Sequence, residues 1–403
     1  MSKRYIGGLI SAFNNLKVAN APTIGAVSGA VNAKACVAFT APSCVGGGAI
    51  TSYTAVSCPG FKTGTGTTSP VQVTCLTNGT AYTFTVSANN AYGPSAFSAA
   101  SASVTPAAAG TVGIFALGCA PCISTTRNKY TFSGCVVSSA TAASVKNAFG
   151  SAAGTASFGI FALGRKCGGA QINRDKYTYS GCTNASTTAA SAASYGQSAA
   201  GNSTVGIFAL GYKCPGGKSS CRNKFIYASS VNCCGTAASY ASVRGAAAGN
   251  STTGIFALGN CSGCNGSTNR NKYTYSGDIN ATATASSAAS FEGAATGNST
   301  VGIFALGGTS ANIGTATTTR NKYTYSGDTN ATATASSAAS FGGSATGNST
   351  VGIFALGFNS GGCVSTTRNK YTYSGDTNGA ATSSTATSYT GSAASNGTCG
   401  VNV

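Results

Sequence analysis

Apolar residues fall in short clusters divided by turn chemistry, and no segment carries a helical period of any length. In the last three-quarters of the chain the clusters recur. Gly-Ile-Phe-Ala-Leu-Gly begins at Gly113, Gly159, Gly206, Gly254, Gly302 and Gly352, in steps of 46 to 50 residues. Each copy is followed by Asn-Lys-Tyr, or a one-residue variant of it, with its lysine at Lys129, Lys176, Lys224, Lys272, Lys322 and Lys370. Two strings in one order, six times over, define a repeat. The fifth unit serves as the type. Its pattern predicts a first strand over 339–346, a tight turn at Gly347-Asn348-Ser349 and an apolar second strand over 350–356. The preceding repeat frame predicts a third strand over 320–326, a turn at Gly327-Asp328-Thr329-Asn330 and a weak fourth strand over 331–337.

The second strand is apolar on both faces, as with Ile303 and Ala305 against Phe304 and Leu306. A strand buried on both sides is what face-to-face stacking of sheets requires. The fold class is therefore all-β, with residues 111–403 predicted as a six-bladed β-propeller of four-stranded repeats of roughly 48 residues. The first unit lacks a first strand, and 388–398 aligns without gaps to 340–350, so the C-terminus is expected to supply that strand. Residues 399–403 would then cap the closing blade or pair with a neighbour. Residues 22–106 differ. They read as seven short strands, clearest at 35–39, 50–56, 71–75, 81–88 and 99–105, in a β-sandwich. Residues 107–110 form a small-residue linker, and 1–21 read as an ordered N-terminal docking arm rather than a processed signal.

Charge narrows the functional classes. The chain has 23 Lys+Arg against 5 Asp+Glu and no His, a net charge of +18 that favours a polyanionic partner. The alternative is a solubilising surface, because the basic residues form no dense run. Without His, and with so few carboxylates, neither a nucleophile–base pair nor a carboxylate metal site can be assembled, so no enzyme and no cofactor is expected. No run of 18 apolar residues is present. The 17 Cys suggest disulfides, with Cys36, Cys75, Cys119, Cys122, Cys167, Cys214, Cys221, Cys261 and Cys264 as candidates. Zinc is the alternative, from the two-residue spacings Cys119–Cys122 and Cys261–Cys264.

The variable part of each unit is the loop between second and third strands: 119–126, 165–173, 212–221, 260–269, 308–319 and 358–367. All six should emerge on one rim, and long loops on one face of a repeat scaffold commonly bind. Candidate rim residues are Cys119, Cys122, Arg165, Lys166, Tyr212, Lys213, Lys218, Asn260, Asn265 and Phe358. The opposite rim carries Cys135 and Cys182 where later units have Asp278, Asp328 and Asp376, which read as turn residues. Arginine and lysine two apart, from Arg127/Lys129 to Arg368/Lys370, share a strand face in every unit. They form either a radial ring of cations for an anionic glycan or side chains that snorkel over aromatics of their own strand.

Residues 22–106 resemble a fibronectin type III domain. The residues that carry this are 76–90, Gly93-Pro94-Ser95 and the end at Val104-Thr105-Pro106. The resemblance implies that Tyr82 is the corner tyrosine bonding back to the backbone and that Leu76 fills the core below it, with Phe39 standing for a missing Trp. Residues 108–403 resemble divergent kelch-type repeats, on the hairpin ending in Leu306-Gly307-Gly308 and the later Tyr-x-Tyr strand. The combination, with Arg4-Tyr5-Ile6-Gly7 at the start and Ala-Thr-Gly-Asn-Ser at 345–349, is similar to virion proteins of tailed bacteriophages. That similarity implies a non-enzymatic protein in multiple copies on the virion surface. Lys3, Arg4, Tyr5 and Ile6 would dock it on other virion subunits, and the loop rim would attach to an anionic host-surface glycan. No direct nucleic-acid contact and no membrane insertion are expected. A purely structural capsid-decoration or tail-associated subunit, and a secreted bacterial surface or filament protein, are the alternatives.

Overall fold

The computed structural model describes residues 17–28, 33–106, 112–119, 123–162, 164–166, 169–209, 211–261, 265–310, 313–359 and 361–395. The chain divides into two compact units, 1–108 and 109–403. Both are built of antiparallel strands.

The described residues of the N-terminal unit form seven strands: β1 (Thr23–Ser28), β2 (Ala35–Thr40), β3 (Ile50–Cys58), β4 (Thr63–Gly66), β5 (Val71–Val73), β6 (Thr83–Asn90) and β7 (Gly93–Pro94). They pair as one sheet β1-β2-β5 and a second β4-β3-β6-β7. Alternation along β2 and β3 puts Ala35, Val37, Phe39, Tyr53 and Ala55 inside with Phe84 and Val86. Phe39 packs against Tyr53, the rings tilted by 45° with centroids 4.4 Å apart. The Tyr82 hydroxyl accepts a hydrogen bond from the Thr77 amide at 2.9 Å, and Leu76 is buried.

Two expectations need correction here. Residues 99–105 form no strand beyond a bridge from Val104 to Tyr82. Serines at every third position replace the ladder: Ser95, Ser98 and Ser101 hydroxyls accept from the amides of Ala88, Val86 and Phe84 at 3.0 Å. A three-residue period suits an extended left-handed segment, not a pleated one. Residues 17–20, expected within the N-terminal arm, pack on this unit instead. Lys17 and Asn20 bond to the backbone of Gly46 and Cys44, and Ala19 is buried in the unit's core. Residues 1–16, with Lys3, Arg4, Tyr5 and Ile6, lie outside the described residues.

Among its described residues the C-terminal unit contains six four-stranded sheets with one pattern. Sheet 2 runs Ser151–Gly154, Phe158–Ala162, Arg174–Thr178, Thr183–Thr187 in spatial and sequence order. Sheets 3 to 6 repeat this with second strands Val205–Ala209, Thr253–Ala257, Val301–Ala305 and Val351–Ala355. Sheet 1 takes its second to fourth strands from Val112–Ala116, Arg127–Thr131 and Val136–Ala140, and its first from Ser392–Ser395. That terminal strand pairs with Val112–Ala116 in the register Ala393↔Phe115, Ala394↔Ile114. The predicted first strand over 339–346 is interrupted. It splits into Ser340–Phe341 and Ser344–Gly347 because Gly342 between them has φ +63°.

Each second strand offers its Ile to one neighbour and its Phe to the other. Ile114 packs with Phe161, Ile160 with Phe208, Ile207 with Phe256, Ile255 with Phe304 and Ile303 with Phe354. Ile353 of sheet 6 packs with Phe115 of sheet 1. The opening Gly of each second strand has a steric reason. A Cβ on Gly254 would lie 2.8 Å from the Tyr275 hydroxyl and 3.0 Å from the Ala200 Cβ.

The repeated arginine joins the sheets. Arg127, Arg174, Arg222, Arg270, Arg320 and Arg368 are all fully buried. Each guanidinium lies 4.4 to 4.6 Å from the second-strand Phe of the following sheet, with Arg368 over Phe115 of sheet 1. Each also donates from Nη2 to the third strand of that sheet: Arg270 to Asn321 at 3.2 Å, and Arg368 to Asn128 at 3.4 Å. Neither sequence reading anticipated this. The arginines are not a surface ring of cations, and the aromatics beneath them belong to the neighbour. Only Arg127 meets a carboxylate, Asp175 at 3.0 Å. Burial lowers the others, Arg174, Arg222, Arg270, Arg320 and Arg368, to about 10.

Candidate binding rim

The loops between second and third strands gather at one end of the sheets and add short ladders of their own. Arg165–Lys166 pairs with Gly169–Ala170, and Ser194–Tyr195 with Tyr212–Lys213, which pairs onward with Gly217–Lys218. Ser242–Val243 pairs with Asn260–Cys261, and Ser340–Phe341 with Phe358–Asn359. These ladders fix the candidate side chains on backbone rather than leaving them on free loops.

Their contacts run continuously. Arg165 lies over Tyr195 at 5.7 Å, and Tyr195 stacks on Tyr212 at 5.2 Å. Tyr195 meets Phe149 edge-on at 6.1 Å, Phe149 meets Tyr389 at 5.8 Å, and Tyr389 meets Phe358 at 4.1 Å. Arg165 and Lys166 are exposed, and Tyr212, Lys213 and Phe358 are half-buried. Lys218 is held down, its Nζ donating to Asn260 Oδ1 at 2.5 Å and to the Cys261 carbonyl at 2.8 Å. Cys119 bridges to Tyr389 and Ile123, and Asn265 is exposed.

Carboxylates are kept buried or away from this end. Asp175, one residue into its strand from the loop end, is buried against Arg127, and Asp278, Asp328 and Asp376 occupy the turns at the other end. There each has φ near +50°, as Cys135 and Cys182 do in their places, and Tyr323 and Tyr371 donate to Asp328 and Asp376. Glu292 alone lies on the loop side, buried and paired with Arg244 at 2.6 Å.

The cysteine expectations fare unevenly. Cys261 is disulfide-bonded. Cys36, Cys75, Cys214 and Cys221 carry free thiols, so the disulfides expected there are not formed. Cys36 lies on β2 opposite Gln72 of β5, and Cys75 follows β5 at the same end, in a unit that has an apolar core of its own. Cys122, Cys167 and Cys264 lie outside the described residues. Among the described residues, no group of three His, Cys, Asp or Glu is placed to hold a metal ion.

Sequence reasoning missed the centre of this rim. In each sheet the residue two places before the first strand has positive φ: Phe149, Gly196, Arg244, Glu292, Gly342 and Thr390, between +49° and +64°. Their backbones are linked head to tail. Gly196, Arg244, Glu292, Gly342 and Thr390 each donate an amide to the carbonyl of the one before, and Phe149 donates to Thr390, at 2.6 to 3.0 Å. These residues and the Gly or Gln after them line a hollow of about 40 Å³. The x-Gly pair before five of the six first strands, with Gly196-Gln197 the exception, was the available signal. A larger groove of about 730 Å³ lies at the opposite end, lined by Phe158, Val205, Ile226, Tyr227 and the hairpin residues 202–204.

No family model matches this chain, and no curated protein matches it. Among solved structures, a crystal structure of titin domains is 25% identical over 22% of this chain and 32% of that chain, with a TM-score of 0.21. The chain thus spans about a third of that structure's length, and the likeness carries no argument about fold or function.

Proposed function

We propose that the six sheets close into a six-bladed β-propeller, and that this propeller is a non-enzymatic module whose loop rim holds an anionic glycan. The reading of closure is supported by the pairing of Ser392–Ser395 with Val112–Ala116 and by the packing of Ile353 against Phe115, which joins the last sheet to the first. Closure leaves no inner edge exposed. The observation that carries the binding reading is the strip Arg165–Tyr195–Tyr212–Lys213, cationic and aromatic, on an end where the single carboxylate is already paired. Cations attract sulfate or carboxylate groups over a distance, and aromatic faces give the apolar faces of sugar rings something to rest on. Individual contacts are weak, so many copies on one particle would supply avidity. The likeness to tailed-phage virion proteins suggests that particle surface as the setting.

Binding of a sulfated polysaccharide and of neutral dextran, followed at rising salt, tests the reading. The sulfated polymer should bind and be released by salt. The double variant Arg165→Ala/Lys213→Ala should weaken it roughly tenfold. Equal binding of dextran, or an unchanged affinity in the double variant, would contradict it.

A further inference from the structure

We propose that the hollow at the centre of the rim is an anion subsite, in which the exposed edge of Arg244 grips a sulfate or carboxylate and Glu292 acts as a built-in competitor. This rests on the reading of the rim as a glycan-binding face. The backbone ring around the hollow demands positive φ at all six positions, and Gly196 and Gly342 meet that demand without strain. Phe149, Arg244, Glu292 and Thr390 do not. Each holds a side chain in a left-handed region that non-glycine residues rarely adopt. Strain of this kind, kept at four of six equivalent places, points to a use for those side chains.

The chemistry of the hollow is asymmetric. Glu292 has a side-chain exposure of 3%, and its Oε1 lies 2.6 Å from Arg244 Nη1. Neither oxygen accepts a hydrogen bond of good geometry. Arg244 is 29% exposed, and its guanidinium is held flat by Phe149 at 4.9 Å and Phe291 at 5.4 Å. A guanidinium has five N–H donors in a fork, and Glu292 engages one nitrogen. The remaining edge is free to take an anion bidentately, the geometry that guanidinium groups favour. The buried carboxylate beside it repels that anion while ionised.

Burial raises Glu292 to about 6, against the pull of Arg244 and of the Tyr389 hydroxyl. The groups facing it are Arg244 and Tyr389, and burial together with Glu292 itself pushes Tyr389 up. The chain contains no His to titrate in the same range. Protonation of Glu292 removes the competing charge, so an anion that does not itself titrate should bind more tightly as pH falls through about 6.

The test is a titration of the full chain with a sulfated disaccharide at constant ionic strength, from pH 7.5 to pH 5. The affinity should rise roughly three- to tenfold on acidification, as expected for one like charge a few ångströms away. Glu292→Gln should show the higher affinity at both ends and no pH dependence. Arg244→Gln should lose the pH-dependent part, with thermal melting of each variant reporting that the fold is kept. A wild-type affinity that is flat or falls on acidification overturns the proposal. If the probe binds and responds to Arg165→Ala/Lys213→Ala but not to Arg244→Gln, the subsite is wrong and the rim reading survives. If the probe does not bind at either pH, both fall.

Discussion

At the scale of single residues, the repeated arginine is the least expected feature. Five of the six buried guanidiniums face asparagine and aromatic rings with no carboxylate beside them. Their stabilising role is packing and cation–π contact across sheets, set against the cost of burying a charge. Arg270→Ala should therefore cost roughly 3 kcal/mol through the cavity it opens between sheets 4 and 5. Arg270→Met, which refills the space without the charge, should cost much less. Chemical denaturation of both variants checks the order. Ionisation sets a second expectation. Glu292 is raised in the fold, so its contribution is complete below the ordinary glutamate range and is lost as pH rises through about 6, a loss of roughly 2 kcal/mol. Asp328 and Asp376 are partly buried, which pushes them up. The Tyr323 and Tyr371 hydroxyls, the Thr284 and Thr334 amides and nearby lysines outweigh that and lower both. Their contribution is present above the usual aspartate range and lost in acid. Melting temperature should peak between roughly pH 4 and pH 6, and Glu292→Gln should flatten the decline above 6.

At the scale of elements, the strands were largely legible and their interruptions were not. The doubly apolar Gly-Ile-Phe-Ala-Leu string marked each second strand because stacking buries both of its faces. Turn residues marked the hairpins, where Asn298 and Asn348 side chains accept from amides two and three residues on. The break at Gly342 was carried locally only by the Gly342-Gly343 pair, a faint signal beside the positive φ that the neighbouring sheets impose. The same holds for Phe149 and Arg244, whose types give no turn signal. The serine-spaced segment after β7 reads like a small-residue strand, since hydroxyls that replace a ladder look the same in a pattern of hydrophobicity. The second-strand glycine makes a sharp prediction. Gly254→Ala should destabilise by roughly 1–3 kcal/mol through overpacking against Tyr275. The same substitution in a Tyr275→Phe background should cost less, because the hydroxyl it strikes is gone. Equal costs in both backgrounds would show that the contact is not the reason for the glycine.

At the scale of the molecule, repetition and asymmetry divide the work. The six sheets share one framework of Ile, Phe, Arg and Tyr, and this was readable because a repeat states its core six times. The binding reading rests on what is not repeated: Arg165, Lys166, Tyr212 and Lys213 on the rim, and Arg244 and Glu292 at its centre. Sequence could nominate the first group as loop variation. It could not gather them, because their convergence depends on ladders between loops that are weak in pattern. The opposite end is the natural competitor, since its groove is far larger than the hollow at the loop end. Amide hydrogen exchange with and without a sulfated oligosaccharide separates the two ends in one measurement. The account predicts slowed exchange at 164–166, 194–195 and 212–218, with the hairpins at 202–204 and 251–252 unchanged. Protection of those hairpins in place of the loops would contradict it.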